Sequence, residues 1–299
     1  MHFAHALHRI STNVRFLTGS LLLPEYAAAL AERLFLTPPA PKLPQSTFFD
    51  FLNAHASFVE YRGRNLATWR WGPLDAPAVL LAHGWGGYAA QMRGFVPRLL
   101  QAGLRVVAYD QPAHGLSEGK LTGLPDFARA LAAVAAHHGN VRHVITHSLG
   151  GAALAIAVSR GMNLQGAVLI SPPSDLVGYS RRFARWYWIP EPLRRAMQAT
   201  IEERFNMRWS DIEIARLAPQ LKTPALVIHD HSDNFVPWKQ GAALARAWPG
   251  ARLLSTVGLG HGRILESDIT LRAAAHFIAG KSAVAGPAAP ELPHPAPLY

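Results

Sequence analysis

Three widely separated side chains have the types needed for covalent acyl chemistry, and they fall in the chain order serine, acid, histidine. The serine is Ser148, in the stretch R-H-V-I-T-H-S-L-G-G from Arg142 to Gly151. A serine hydroxyl is a poor nucleophile at neutral pH. It attacks a carbonyl only when a base takes its proton and fixed donors receive the developing oxyanion. A tight turn between a strand and a helix serves this by holding the hydroxyl clear of the main chain. The surroundings of Ser148 read that way, with an apolar run from His143 to Thr146 before it and small, helix-forming residues from Gly150 to Val158 after it. The plainer alternative is a serine that caps helix 149–160 by accepting one of its orphan N–H groups. Of fifteen histidines, His261 alone sits between two glycines late in the chain, so it is the candidate base. Two residues compete for the acid: Asp230, at the end of an apolar run, and Asp233, three residues further on.

These groups are far apart in sequence, so a scaffold must gather them. Continuous apolar runs occur at Ala78–Ala82, Arg105–Tyr109, His143–Thr146, Gly166–Ile170 and Ala225–His229. Between and after them lie helix-length segments at Gln91–Ala102, Leu124–His138, Leu149–Arg160, Trp238–Trp248 and Ser267–Ala279. Strands that are apolar throughout are buried on both faces, so the pattern predicts an α/β protein with a mostly parallel, doubly wound sheet. Arg252–Thr256 reads as a further strand, and Ala56–Tyr61 and Arg64–Trp71 read as a hairpin around Gly63. In such a sheet the loops at the carboxyl ends of the strands converge on one edge. Each of those ends carries something polar: His83-Gly84-Trp85-Gly86-Gly87, then Asp110-Gln111-Pro112-Ala113-His114-Gly115, then Ser148, Asp233 and His261.

Five of these stretches, in order, resemble motifs of the α/β-hydrolase superfamily, over roughly Ala56 to Gly280. H-G-W-G-G is similar to its histidine-glycine loop, D-Q-P-A-H-G-L-S to its D-x-P-G-H-G-x-S stretch, and T-H-S-L-G-G to its nucleophile elbow. H-S-D-N-F-V-P and G-L-G-H-G are similar to its acid and histidine loops. There are three departures. Thr146 and Ala113 stand where glycine is usual, and Asp230 stands where the acid loop commonly has glycine. The resemblance implies an esterase-like enzyme with Ser148 as nucleophile, His261 as base and Asp233 as its orienting acid, because a D-x-x-V-P pattern starts at Asp233. It further implies an oxyanion hole formed by the backbone N–H groups of Trp85 and Leu149, and no metal or cofactor. A thioesterase or acyltransferase would use the same three residues. A non-catalytic ligand-binding or membrane-surface protein on this fold is the other class of reading. His83, Asp110 and His147 are expected to brace loops rather than move protons.

The remaining segments surround this core. Residues 1–47 are expected to form an N-terminal helical extension outside the catalytic machinery, with a helix opening at Pro24 and closing at Pro38-Pro39. Residues 48–174 and 223–280 make the hydrolase core, 175–222 an inserted helical cap, and 281–299 a disordered tail rich in alanine and proline. In the cap, Trp186 and Trp188 are expected to line the substrate pocket, while Arg181, Arg182, Arg185, Arg194 and Arg195 either solvate an outer face or attract an anionic substrate or membrane surface. The chain has 299 residues, 49% of them hydrophobic, so it is globular. It has no cysteine, which excludes disulfides, thiolate metal sites and a cysteine nucleophile. Its net charge of +10 comes with no nucleic-acid-binding module, so nucleic acid is not an expected partner. The expected partner is a small acyl ester or thioester. The expected location is cytoplasmic, with weak membrane-surface contact left open.

Overall fold

The computed structural model describes residues 22–39 and 53–280, together with Phe16. The continuous apolar runs become the middle of one eight-stranded sheet. Its strands are β1 (His55–Tyr61), β2 (Arg64–Trp71), β3 (Ala78–Ala82), β4 (Arg105–Tyr109), β5 (Val141–His147), β6 (Gly166–Ile170), β7 (Ala225–Asp230) and β8 (Arg252–Thr256). Their order across the sheet is β1-β2-β4-β3-β5-β6-β7-β8. Strands from β4 to β8 in that order are parallel, and β2 joins them antiparallel to β4. Every residue of β3, β4, β6 and β7 is buried. Alternate side chains feed two cores: Leu80, Val107 and Leu169 on one face, Val79, Val106 and Val168 on the other. The β1–β2 hairpin closes on Arg62 and Gly63, both at positive φ, and Tyr61 pairs with Arg64. That two-residue turn matches the twist of the flanking strands.

Helices cover both faces, most within a residue or two of the ranges expected. One differs. Instead of a single helix over Gln91–Ala102, a 3-10 turn spans Ala89–Phe95 and an α-helix follows at Val96–Gln101. Pro97 has no N–H to continue a helix through that point, and Gly94 lies so near Leu271 that an added Cβ would come within 3.2 Å. The chain between β6 and β7 forms the helices Leu176–Trp186 and Glu191–Phe205, then the short turns Trp209–Ile212 and Ile214–Leu217. Asp175 starts the first of these by accepting a 2.7 Å hydrogen bond from Gly178 N–H.

The N-terminal helix Pro24–Leu36 packs along Glu191–Phe205, and Glu32 pairs with Arg204. Phe35 sits edge-on to Phe183 at 5.0 Å and to Tyr179 at 5.7 Å. The backbone N–H of Thr122 donates to Leu36 O at 2.9 Å, which ties the end of this helix to the loop before Leu124–His138. Among the described residues, no helix is long and apolar enough to cross a membrane. The tail expected at 281–299, and most of the segment before Pro24, lie outside the described residues.

Candidate active site

Ser148 stands between β5 and the helix Leu149–Ser159 with φ 51° and ψ −125°. L-residues avoid this region, and such strain persists only where the surroundings over-determine it. Here Ser148 N–H donates to Ile170 O and Gly151 N–H donates to Ser148 O, both at 2.8 Å. The serine side chain makes no capping bond to the helix it precedes, so the capping alternative does not describe it. Two glycines make the approach of β3 to this turn possible. A Cβ on Gly84 would lie 2.7 Å from Ser148 Cβ, and one on Gly150 would lie 2.8 Å from Ala82 O. A Cβ on Gly151 would lie 2.9 Å from Pro172 Cβ, with the Thr146 hydroxyl at an ordinary 3.4 Å. The threonine at the rear of the turn is accommodated through its own bond: the buried Thr146 hydroxyl donates to Val168 O at 3.1 Å.

The two candidate acids have different partners. Asp233 Oδ2 accepts from His261 Nδ1 at 2.7 Å, while its Oδ1 accepts the N–H groups of Phe235 and Val236 at 2.9 and 2.8 Å. Burial alone would raise the Asp233 pKa, but bonds from His229, His261 and Val236 outweigh it and hold the carboxyl well below the usual range. Asp230 instead faces the backbone. It accepts from Ser232 and Gly260 N–H on one oxygen and from Thr256 Oγ1 and Leu259 N–H on the other. Asp230 thus shapes the loop that carries His261, and Asp233 touches the ring itself.

Two further histidines support this corner. His147 Nε2 contacts His261 O at 2.9 Å, and the two rings lie 4.7 Å apart. A carbonyl only accepts, so the Nε2 of His147 carries the proton. Burial and the neighbouring His261 push the His147 pKa down to about 3, so it stays neutral. His229, which sequence reasoning missed, is fully buried, with Nε2 2.9 Å from Val236 O and 3.4 Å from Asp233 Oδ2. The signal for it was weak: a histidine ending an otherwise apolar strand.

The β3 loop is braced in the same manner. Gln111 N–H donates to His83 Nε2 at 2.9 Å, so His83 is neutral with its proton on Nδ1, directed to Gly84 O. Burial first, and His114 second, keep its pKa well below the ordinary value. Asp110 accepts from Ala89 and Leu116 N–H, and burial raises its carboxyl to about 6 despite those bonds. The N–H groups of Trp85 and Leu149 donate no hydrogen bond to any described residue. Both residues line a cavity of about 300 Å3 together with Ser148 and His261.

The wall of that cavity departs from expectation in two ways. Trp186 and Trp188 do not line it and are 61% and 55% exposed. The helix Leu176–Trp186 buries Ser180 and Ala184 and turns Tyr179 and Arg182 to the cavity, so Trp186 lies a further turn on and Trp188 beyond the helix end. The N-terminal helix, expected outside the machinery, contributes Phe35 and Leu36 to the lining. A larger open depression of about 670 Å3 lies between Leu124–His138 and Leu149–Ser159, and no serine, carboxylate or histidine lines it. Among the described residues, no cluster of three or more histidines or carboxylates is placed to hold a metal ion.

Comparison with known proteins agrees with the architecture. Residues 79–275 match the model of the alpha/beta hydrolase family. The chain is 26% identical over 248 residues to a bifunctional esterase/perhydrolase from Acinetobacter calcoaceticus, covering 64% of this chain and 87% of that protein. An esterase from Pyrococcus furiosus superposes with a TM-score of 0.62 at 20% identity, over 82% of this chain and all of that one. A carboxylesterase from Bacillus subtilis gives 0.58 at 19%, over 79% and 96% of the two chains. With the family model spanning most of the eight-stranded core and its strained serine turn, the chain belongs to the alpha/beta hydrolase family.

Proposed function

We propose that this protein is a serine hydrolase that cleaves carboxylic esters through an acyl-enzyme. The observation that carries the reading is the 2.7 Å bond from His261 Nδ1 to Asp233, at a cavity that His261 shares with the strained Ser148. With Nδ1–H donating to Asp233, the other ring nitrogen has its lone pair available as a base. His261 takes the Ser148 proton as Oγ attacks the ester carbonyl, then returns it to the leaving alcohol. Asp233 holds the ring in that tautomer and stabilises its charged form. The N–H groups of Trp85 and Leu149 receive the oxyanion; losing one such donor costs about a hundredfold or more in rate. Water then attacks the acyl-enzyme by the same route, releasing the acid.

The lining supports an apolar acyl group, since Phe35, Leu36, Leu124, Ile201 and Phe205 supply much of the wall. A volume near 300 Å3 is at the lower end of ligand pockets, which favours small to medium acyl chains. The named activity of the Acinetobacter relative points in the same direction. The test is a series of aryl esters of rising acyl length, with an acyl-CoA in parallel. The reading predicts turnover of the short and medium aryl esters, lost in Ser148→Ala. Turnover of the acyl-CoA alone would replace the esterase with a thioesterase.

A further inference from the structure

Two exposed tryptophans that do not line the cavity need another explanation, and Trp188 needs one most. The helix Leu176–Trp186 ends with Ile189 N–H donating to Ala184 O at 2.8 Å and Trp188 N–H to Arg185 O at 3.3 Å. That is the paired closure in which the residue turning the chain adopts the left-handed conformation and is usually glycine. Here it is Trp188, at φ 53°. A side chain in that conformation costs stability that glycine would not. Ile189 and Ala184 are buried and lock the turn, so the indole of Trp188 is held outward. A strained backbone kept to present an exposed aromatic is an observation that asks for a function outside the fold.

The surroundings identify the chemistry of the partner. From Leu176 to Pro190 there are three arginines and no acidic residue. Arg181, Arg182 and Arg185 are exposed, and among the described residues no carboxylate pairs with any of them. The flanking acids are engaged elsewhere: Asp175 caps Gly178, and Glu191 holds Arg194 and Arg195. Three exposed aromatics, Tyr179, Trp186 and Trp188, are interleaved with these cations. Indoles beside arginines that no described carboxylate neutralises, one of them stacked over Tyr179, suit the boundary between anionic headgroups and acyl chains, where the ring enters and the guanidinium stays with phosphate. The face is also continuous with the cavity mouth. Tyr179 and Arg182 belong to both, and the exposed Phe235 lines the cavity beside His261.

We infer that the cap helix Leu176–Trp186 with its Trp188 turn is a docking face for an anionic lipid surface, which brings membrane-borne esters to the mouth of the cavity. Delivery to the cavity rests on the hydrolase reading; docking does not. The cavity's apolar lining selects a lipid surface over a nucleic acid, which would offer its bases to the same aromatics but nothing to an apolar pocket.

The experiment is co-sedimentation of the full chain with vesicles of phosphatidylcholine alone or with 30 mol% phosphatidylglycerol (about one lipid in three, enough to create a surface potential). Binding is expected to the anionic vesicles and to fall steeply with added salt. Arg181→Gln with Arg185→Gln should weaken it about thirtyfold, given the contribution of each basic residue near an anionic surface. Trp188→Gly is the decisive variant: it should raise the melting temperature by removing strain and still weaken vesicle binding. Turnover of a soluble aryl ester should be unchanged in both variants, since none of Arg181, Arg185 and Trp188 lines the cavity. Equal binding to neutral vesicles, no binding at all, or binding indifferent to the arginine pair and to Trp188→Gly would each overturn the inference. A dimer abolished by those substitutions would overturn it in favour of a second copy of the chain. If the vesicles bind as expected but no ester is turned over, docking stands and the hydrolase reading falls.

Discussion

Replacing Asp233 and Asp230 in turn by asparagine separates orientation of the base from construction of its loop. In Asp233→Asn, the amide oxygen is best kept toward the N–H groups of Phe235 and Val236, which Oδ1 now satisfies at 2.9 and 2.8 Å. The amide NH2 then faces His261 Nδ1, now 2.7 Å from Oδ2. Two donors cannot share that contact, so Nδ1 must become the acceptor and the proton moves to the nitrogen that should take it from Ser148. Loss of the useful tautomer in this way costs about 10^4 in turnover, equivalent to about 5.5 kcal/mol of transition-state stabilisation. Asp230→Asn is a different injury. One amide oxygen cannot serve donors on both sides, and the NH2 faces two of the four groups Ser232, Gly260, Thr256 and Leu259. Hydrogen bonds to a charged acceptor are worth about 1.5–3 kcal/mol each, so the cost is a few kcal/mol of stability. The folded fraction should keep its turnover within about tenfold, because nothing on the His261 ring has changed. Aryl-ester kinetics and urea unfolding, measured on both variants, give the two numbers. A 10^4 loss in Asp230→Asn with turnover retained in Asp233→Asn would refute the assignment.

Ala113 occupies a left-handed conformation, φ 62°, at a position whose family counterpart is glycine. Ala113→Gly should therefore stabilise by about 0.5 kcal/mol, the relieved strain being partly offset by glycine's greater chain entropy; a loss of stability in chemical unfolding would show that the strain is illusory. Phe35→Ala should raise kcat/KM for a long-chain aryl ester relative to a short one by about tenfold, as extra pocket room typically does. Tyr26→Ala, on the exposed side of the same helix, should leave that ratio alone; equal effects would remove the helix from the pocket. Acidification should unfold the protein through its buried neutral histidines. The unfolded chain protonates His147 at the ordinary 6.5 while the fold resists to about 3, so its contribution is whole above 6.5 and is lost as pH falls. About 2 kcal/mol should disappear between pH 7 and 5 from this residue. Asp110, raised to about 6, contributes in the opposite sense over part of that range. The slope is therefore read as the difference between wild type and His147→Gln, and an identical slope in the two would exclude His147.

The sheet was legible because parallel strands buried on both faces read as short, largely apolar runs that alternate with helix-length segments, and five such runs lie in order before Asp230. The loop residues were legible for a related reason: a nucleophile turn, an acid and a histidine have to lie at carboxyl ends of strands, which leaves few places for each. What sequence could not carry was contact between distant segments. Nothing local to Phe35 and Leu36 announces that they meet Ser148's cavity, since that depends on packing of Pro24–Leu36 along Glu191–Phe205. The tryptophans failed for the opposite reason. Aromatic residues near a site invite assignment to its wall, but Trp186 lies a turn beyond Arg182 on the helix, and the turn at Trp188 sends its ring away. Thr146 looked like a defect in the elbow, but its buried hydroxyl has an acceptor of its own in Val168 O.

Whether Ser148 is the covalent nucleophile is decided by intact mass of the protein after reaction with a fluorophosphonate. A single adduct is expected, mapping to the peptide that contains Ser148, absent in Ser148→Ala and forming far more slowly in Asp233→Asn. An adduct elsewhere, or one of undiminished rate in Ser148→Ala, would contradict it.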